Sequence, residues 1–313
     1  MRVHDTTPEF VNLFEATRGK TDEEKLERFW SDLYPANPAF YDLRLSKWQK
    51  EEKKVEEELL RELEAFGTYH SEFVRLQSSI PKQLEDAVAS FQKVFPDFNA
   101  DFDVYLLHSL KEMNGGMRKL EGKHVFILGL DMIARFHTWR DNAPFFHHEL
   151  LHVYLKQLHV PASTWYESET LLLKLWEEGL ATYVSYLLNP QTSYAELMLG
   201  IPDGLPEQAW TRRAFLADDL AHHLSSTNEV MYRKYFVPWS GYEEVPERAG
   251  YFVGFAVLNE LAKQQSLSTL LKPFNELELL ELVRTQLLKL EALPGDLYLP
   301  SPPPPGGADT VSP

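Results

Sequence analysis

A chain of 313 residues with 44% apolar and 13% aromatic content carries enough hydrophobic material for a large core, in one large domain or two unequal ones. Its 31 Lys and Arg stand against 47 Asp and Glu, a formal net charge of -16, which disfavours general attraction to nucleic acid or an anionic membrane and leaves peptides, neutral molecules and cations as fitting ligands. The absence of cysteine excludes disulfides, thiolate nucleophiles and Cys-ligated zinc or iron–sulfur sites, so any metal must be held by nitrogen and oxygen.

The opening "MRVHDTTPEFVNLF" has no basic start followed by an apolar run, and no later stretch approaches the roughly 18 apolar residues of a membrane span. A soluble cytoplasmic protein is the expectation. Residues 1–97 read as an N-terminal helical region rich in charge. Leu26, Phe29, Trp30 and Leu33 recur at helical spacing before "PANPAFYD" breaks the pattern. Val55, Leu59, Leu63 and Phe66 then form an apolar stripe among paired Glu and Lys, the pattern of a solvated amphipathic helix.

The texture changes near residue 98. "FDVYLLHSL" and "KHVFILGL" are short β-prone runs, and the glycines of the intervening "KEMNGGMRKLEG" suggest a turn, which predicts a small antiparallel sheet. Helices are expected again at about 144–157, 168–188, 207–225, 249–264 and 276–291. The end, 301–313, is a Pro/Gly-rich tail expected to be disordered. No motif bears on oligomeric state.

Within "FFHHELLHVYL", His148 and His152 are four residues apart, slightly more than one helical turn, so both imidazoles fall on one face and can serve a single ion. Glu149 is rotated by about 100° from His148, beside the ion's water and off the ion itself. This is the spacing of a zinc peptidase helix, with Glu149 as proton acceptor. The uncharged neighbours Phe145, Phe146, Leu150, Leu151, Val153 and Tyr154 suit a helix buried around a metal; Pro144 suits the first turn, with Asn142 or Asp141 near the cap. His147 abuts the motif, but no Glu follows it directly, so it is read as a neighbour.

A catalytic zinc needs three protein ligands and one open position. The third is expected in the apolar helix "ETLLLKLWEEGLATYVSYLL", which carries Glu177 and Glu178 in its middle, next to Gly179 and Ala181. A buried carboxylate is costly without a partner, and a divalent cation supplies one.

The pair "HELLH" and "WEEGLATY", with twenty-five residues between His152 and Glu178, resembles the gluzincin clan of zinc metallopeptidases. The resemblance is closest to a bacterial group of predicted zinc-dependent proteases whose later helix holds a "GYxxG" segment, here "RAGYFVGFAVLNELA", and it covers about residues 98–264. It implies a predominantly helical α+β, zincin-like catalytic domain over 98–300, with the small sheet beside the active-site helix. It also implies Zn²⁺ as cofactor and a peptide or protein as substrate; neither nucleic acid nor membrane is expected as a partner, given the acidic net charge. The clan's ligand glutamate precedes a small residue, which selects Glu178 over Glu177 as the ligand joining His148 and His152.

The strand "KHVFILGL" resembles the clan's edge strand, which would hold an extended peptide. The clan's oxyanion donor is a Tyr or His. Tyr251, flanked by Gly250 and Gly254, is the candidate, with His222 or His223 as alternatives. Arg248 is the candidate anchor for a substrate carboxylate.

Two positions depart from the clan. Thr182 stands where thermolysin-like enzymes carry the Asp that orients the first histidine. "NGGMRKL" lacks the glutamate with which zinc aminopeptidases hold a free amine, so an endopeptidase is preferred over an aminopeptidase. Two other readings remain open: a catalytically silent zincin-fold binding protein, against which Glu149 argues, and a zinc hydrolase of small amides or esters.

Overall fold

The computed structural model describes residues 1–137, 141–238 and 240–293, so the tail at 301–313 lies outside the described residues. The chain divides into two units, Met1–Asp86 with Asn99–Arg140, and Ala87–Phe98 with Asp141–Pro313. The boundary expected at 97/98 does not coincide with these units. The cause is a short polar strand, β1 (Arg2–Asp5), that pairs with sheet residues 103–106 and so groups the sheet with the N-terminal helices.

In the first unit, β1 is followed by α1 (Thr7–Ala16), α2 (Asp22–Arg28), α3 (Pro38–Lys50), α4 (Val55–Phe66) and the start of α5 (His70–Val94). A capping box opens α2: the Glu24 amide donates to the Thr21 side chain, and the Thr21 amide donates to the Glu24 carboxylate. Phe29 and Leu33 are buried as their spacing predicts, but a wide π turn over Phe29–Leu33 leaves Trp30 exposed. All four stripe residues of α4 are buried.

The sheet adds β2 (Asp103–Leu107), β3 (Gly115–Leu120) and β4 (Lys123–Gly129) in the order β1-β2-β4-β3. It is mixed, not antiparallel as expected: β1/β2 and β2/β4 are parallel, and β3/β4 is antiparallel. The hairpin turn falls on Glu121 and Gly122, both at positive φ, while Gly115 and Gly116 lie inside β3. The "KHVFILGL" segment is also not an edge strand. Phe126 pairs with Val104 on one side and Met117 on the other, so the edges are β1 and β3. Burial of Val125, Phe126, Ile127 and Leu128 in succession is what an interior strand covered on both faces requires. The short α6 (Leu130–Phe136) follows β4 directly.

The second unit is helical: the end of α5, then α7 (Ala143–His159), α8 (Leu171–Leu188), α9 (Leu205–Thr211), α10 (Arg213–His223), α11 (Glu229–Phe236), α12 (Ala249–Leu261), α13 (Leu267–Leu271) and α14 (Glu276–Ala292). The helix expected at 207–225 breaks at Arg212, whose φ and ψ leave the helical region. α8 is central, with α7 and α12 packed on it. Its contact with α12 needs glycine on both sides. A Cβ on Gly179 would lie 2.7 Å from the Gly254 backbone, and one on Gly254 would lie 2.6 Å from the Leu175 carbonyl oxygen. Among the described residues no helix is long and apolar enough to cross a membrane.

Candidate metal centre

α7 is buried from Pro144 through Leu151, which explains its lack of surface charge. Asp141 accepts from the Ala143 amide at 2.9 Å at its start, with Pro144 in the first turn. α8 begins at Thr170, whose hydroxyl accepts from the Leu173 amide. The Ser185 hydroxyl of α8 donates to the Pro144 carbonyl at 2.6 Å, tying the two helices together one end away from the histidines.

His148, His152 and Glu178 converge. His148 Nε2 lies 3.1 Å from Glu178 Oε2 and 3.2 Å from His152 Nε2, and His152 Nε2 lies 3.5 Å from the same carboxylate oxygen. A tetrahedral zinc with bonds of about 2.0–2.1 Å sets its ligand atoms about 3.3–3.4 Å apart, so these three edges outline one face of such a site. Two imidazole nitrogens at that separation share at most one hydrogen, and a cation outside the triangle would satisfy all three lone pairs at once.

The other carboxylate oxygen, Glu178 Oε1, accepts from Lys174 Nζ at 2.6 Å, which leaves Oε2 to face the histidines. Burial alone would raise the Glu178 pKa, but Lys174 and His152 outweigh it and hold the carboxyl well below its usual range. Burial likewise opposes the charged form of His152, yet the Glu178 carboxylate lifts its pKa above the ordinary value.

Glu149 is buried, 7% exposed, and among the described residues no hydrogen-bond donor or cation is paired with its carboxylate. Its charge acts on His152, so it stands next to the triad without belonging to it. Glu177 points elsewhere, 3.9 Å from Lys156 at the edge of the helix pair. Thr182, one turn beyond Glu178, is fully buried with its hydroxyl unpartnered, and the distal nitrogen of His148, Nδ1, is also buried without a partner. The missing Asp therefore has no replacement among the described side chains.

The Tyr251 ring stacks on that of His148, 6.3 Å between centres, and burial pushes its hydroxyl pKa up, so the hydroxyl keeps its proton at neutral pH. Arg248 lies with its guanidinium 4.4 Å from the centre of the Tyr251 ring. His222 and His223 do not join the group. Each ring instead bonds the backbone carbonyl one turn back on α10, that of Asp218 and Asp219 respectively. His147 is a satisfied core histidine: the Asn189 side-chain amide donates to Nδ1 at 2.9 Å, and Nε2 meets the Ser90 hydroxyl at 2.8 Å.

Sequence reasoning missed a second buried polar group, in the first unit, where β2 and β4 end: Glu62, His108 and Asp131, none of them exposed. Its carboxylates are already compensated. Lys111 and Arg135 pair with Glu62, and Asp131 accepts from the Ser109 amide, the Ser109 hydroxyl and the Lys111 amide. This donor set suits a self-contained network better than a metal. The residues are scattered over three segments, so no spacing could have announced them.

Burial pushes the His108 pKa from 6.5 down to about 4. The unfolded chain takes up this proton near pH 6.5 and the folded chain only near 4, so between those values the unfolded state binds more protons and stability falls as the pH drops. At about 1.4 kcal/mol per unit the full loss is on the order of 3 kcal/mol. Urea melts from pH 7 to 4.5 should therefore give a steeper loss for the wild type than for His108→Asn; equal slopes would contradict the assignment.

No protein-family model, curated protein or solved structure matches this chain.

Proposed function

We propose that the chain is a zinc-dependent metallopeptidase of the gluzincin type, with His148, His152 and Glu178 as ligands and Glu149 as general base. One observation carries the reading: three donor atoms spaced 3.1 to 3.5 Å apart, as a tetrahedral ion requires, with Glu149, 7% exposed and without an ion-pair partner among the described residues, following the first ligand directly. The donor set of two imidazoles and one carboxylate is a zinc set with a position left open for substrate.

Bound zinc would supply Lewis acidity, polarising a carbonyl and making water acidic near neutral pH. Glu149 takes the proton of the attacking water on its carboxylate and passes it to the leaving nitrogen. The Tyr251 hydroxyl donates to the substrate oxygen as negative charge develops there. Lys174 holds Glu178 by Oε1 so that only Oε2 turns inward. The same machinery would serve a small amide or ester, and a mixed peptide library separates those substrates.

Protein purified after zinc-replete expression should hold about one zinc per chain by elemental analysis, in keeping with a single three-ligand site. His148→Ala and His152→Ala should each lose it while keeping their helical circular dichroism. Native protein free of zinc would overturn the proposal.

A further inference from the structure

Among the described residues, Arg44 and Arg248 are buried and Arg135 is largely so, and they are not equivalent. Arg44 is paired with Glu112 at 2.9 Å, and Arg135 with Glu62 at 3.0 Å. Arg248 is only 7% exposed, donates one hydrogen bond, from NH1 to the Ile201 carbonyl at 3.2 Å, and has no carboxylate partner among the described residues. A buried guanidinium without an anion is costly, and its fork of N–H groups matches a carboxylate in two places.

Its position adds to this. Arg248 is the N-cap of α12, at φ 60, a left-handed conformation uncommon for a residue with a side chain. No side chain caps that helix end, whose dipole favours an anion. The guanidinium lies over the Tyr251 ring, and the other side of the contact chain is His148, 6.3 Å from Tyr251 between ring centres. Together these separations keep the guanidinium within about 11 Å of the His148 ring. One or two extended residues, at about 3.3–3.6 Å each, span that distance once a metal–oxygen contact and a guanidinium–carboxylate pair are added at the ends.

We infer that Arg248 and the N-terminal end of α12 bind the free α-carboxylate of a peptide, so that the bond presented to the triad lies one or two residues from the substrate's C-terminus. This deepens the peptidase reading and rests on it. The substrate class becomes peptides with an unblocked C-terminus, and a carboxypeptidase or peptidyl-dipeptidase mode replaces general endopeptidase action.

The test is binding, measured on full-length protein carrying Glu149→Gln so that nothing turns over. The probes are two fluorescein-labelled pools of random hexapeptides made without Asp or Glu, one with free C-terminal carboxylates and one with C-terminal amides. Anisotropy titrations should show the acid pool binding at least about tenfold more tightly, as expected for a charge-assisted pair. Adding Arg248→Gln should erase that difference, bringing the acid pool's affinity down to that of the amide pool. Should that variant fold poorly, Arg248→Lys keeps the charge, loses the fork, and should reduce the preference several-fold.

Equal affinity for the two pools, no binding by either, or a preference that survives Arg248→Gln would overturn the assignment. Repeating the titrations after chelation separates the two readings. A carboxylate preference in protein that never held zinc would keep the anchor and sink the metallopeptidase. Zinc bound without any carboxylate preference would do the reverse.

Discussion

Exchanging Glu149 for Gln should leave fold and zinc content unchanged and reduce peptide hydrolysis by about 10²–10⁴-fold, the usual cost of losing a general base. The expectation follows from where the side chain sits. It is buried and unpaired beside His152, so the amide replaces it at nearly the same volume and breaks no hydrogen bond or ion pair of the described residues. The three ligand atoms belong to other residues. Only the capacity to accept the water's proton disappears. Mass-spectrometric profiling of a mixed peptide library, with zinc measured on the same wild-type and variant samples, reads this directly. Loss of cleavage with zinc retained supports the peptidase. Equal cleavage by both proteins would point to another mechanism, and no cleavage by either would favour a silent binding protein that keeps the metal.

The parts of the fold that could be read from sequence are those in which local pattern and tertiary burial agree. α7, α8, α12 and α14 start and stop within about three residues of expectation, because continuous apolar periodicity and clear caps such as Thr170 and Asn275 mark their ends. The sheet was legible in content but not in topology. Strand order depends on β1, four exposed residues with no apolar alternation, and the parallel pairing of β2 with β4 is a non-local choice that neither strand encodes. The adjacent glycines of that stretch, Gly115 and Gly116, lie inside β3, whereas Glu121–Gly122 forms the two-residue loop that a right-twisted hairpin favours.

At the candidate site the same division holds. A four-residue spacing on one helix fixes the geometry of His148 and His152 by itself, and small residues at Gly179 and Gly254 announce a close crossing of α8 with α12. What spacing could not supply is the environment. Lys174 reaches Glu178 within α8, but its i, i+4 pairing looks in sequence like any surface ion pair. The isolation of Arg248 is visible only once every carboxylate near it has been located.

Glu178→Ala should lower zinc affinity by well over the 10- to 100-fold that an outer-shell change costs, whereas Glu177→Ala should stay within that range or below it. The two glutamates are adjacent in sequence and face different neighbours. Glu178 puts Oε2 within 3.1 and 3.5 Å of the two histidine nitrogens, while Glu177 sits 3.9 Å from Lys156 with more of its side chain in solvent. Removing Glu178 deletes a ligand and leaves Lys174 without an ion-pair partner among the described residues, so the cation that had paired with the carboxylate now repels the incoming metal. Removing Glu177 breaks a long, partly exposed pair whose worth is at most about 1 kcal/mol. Competition with a chromophoric chelator measures both variants on one scale. Glu178→Gln serves as a control, since its neutral oxygen should recover part of the affinity without restoring the charge. The opposite ranking, with Glu177→Ala the more damaging, would transfer the ligand role to Glu177 and require α8 to be rotated by about 100° about its axis.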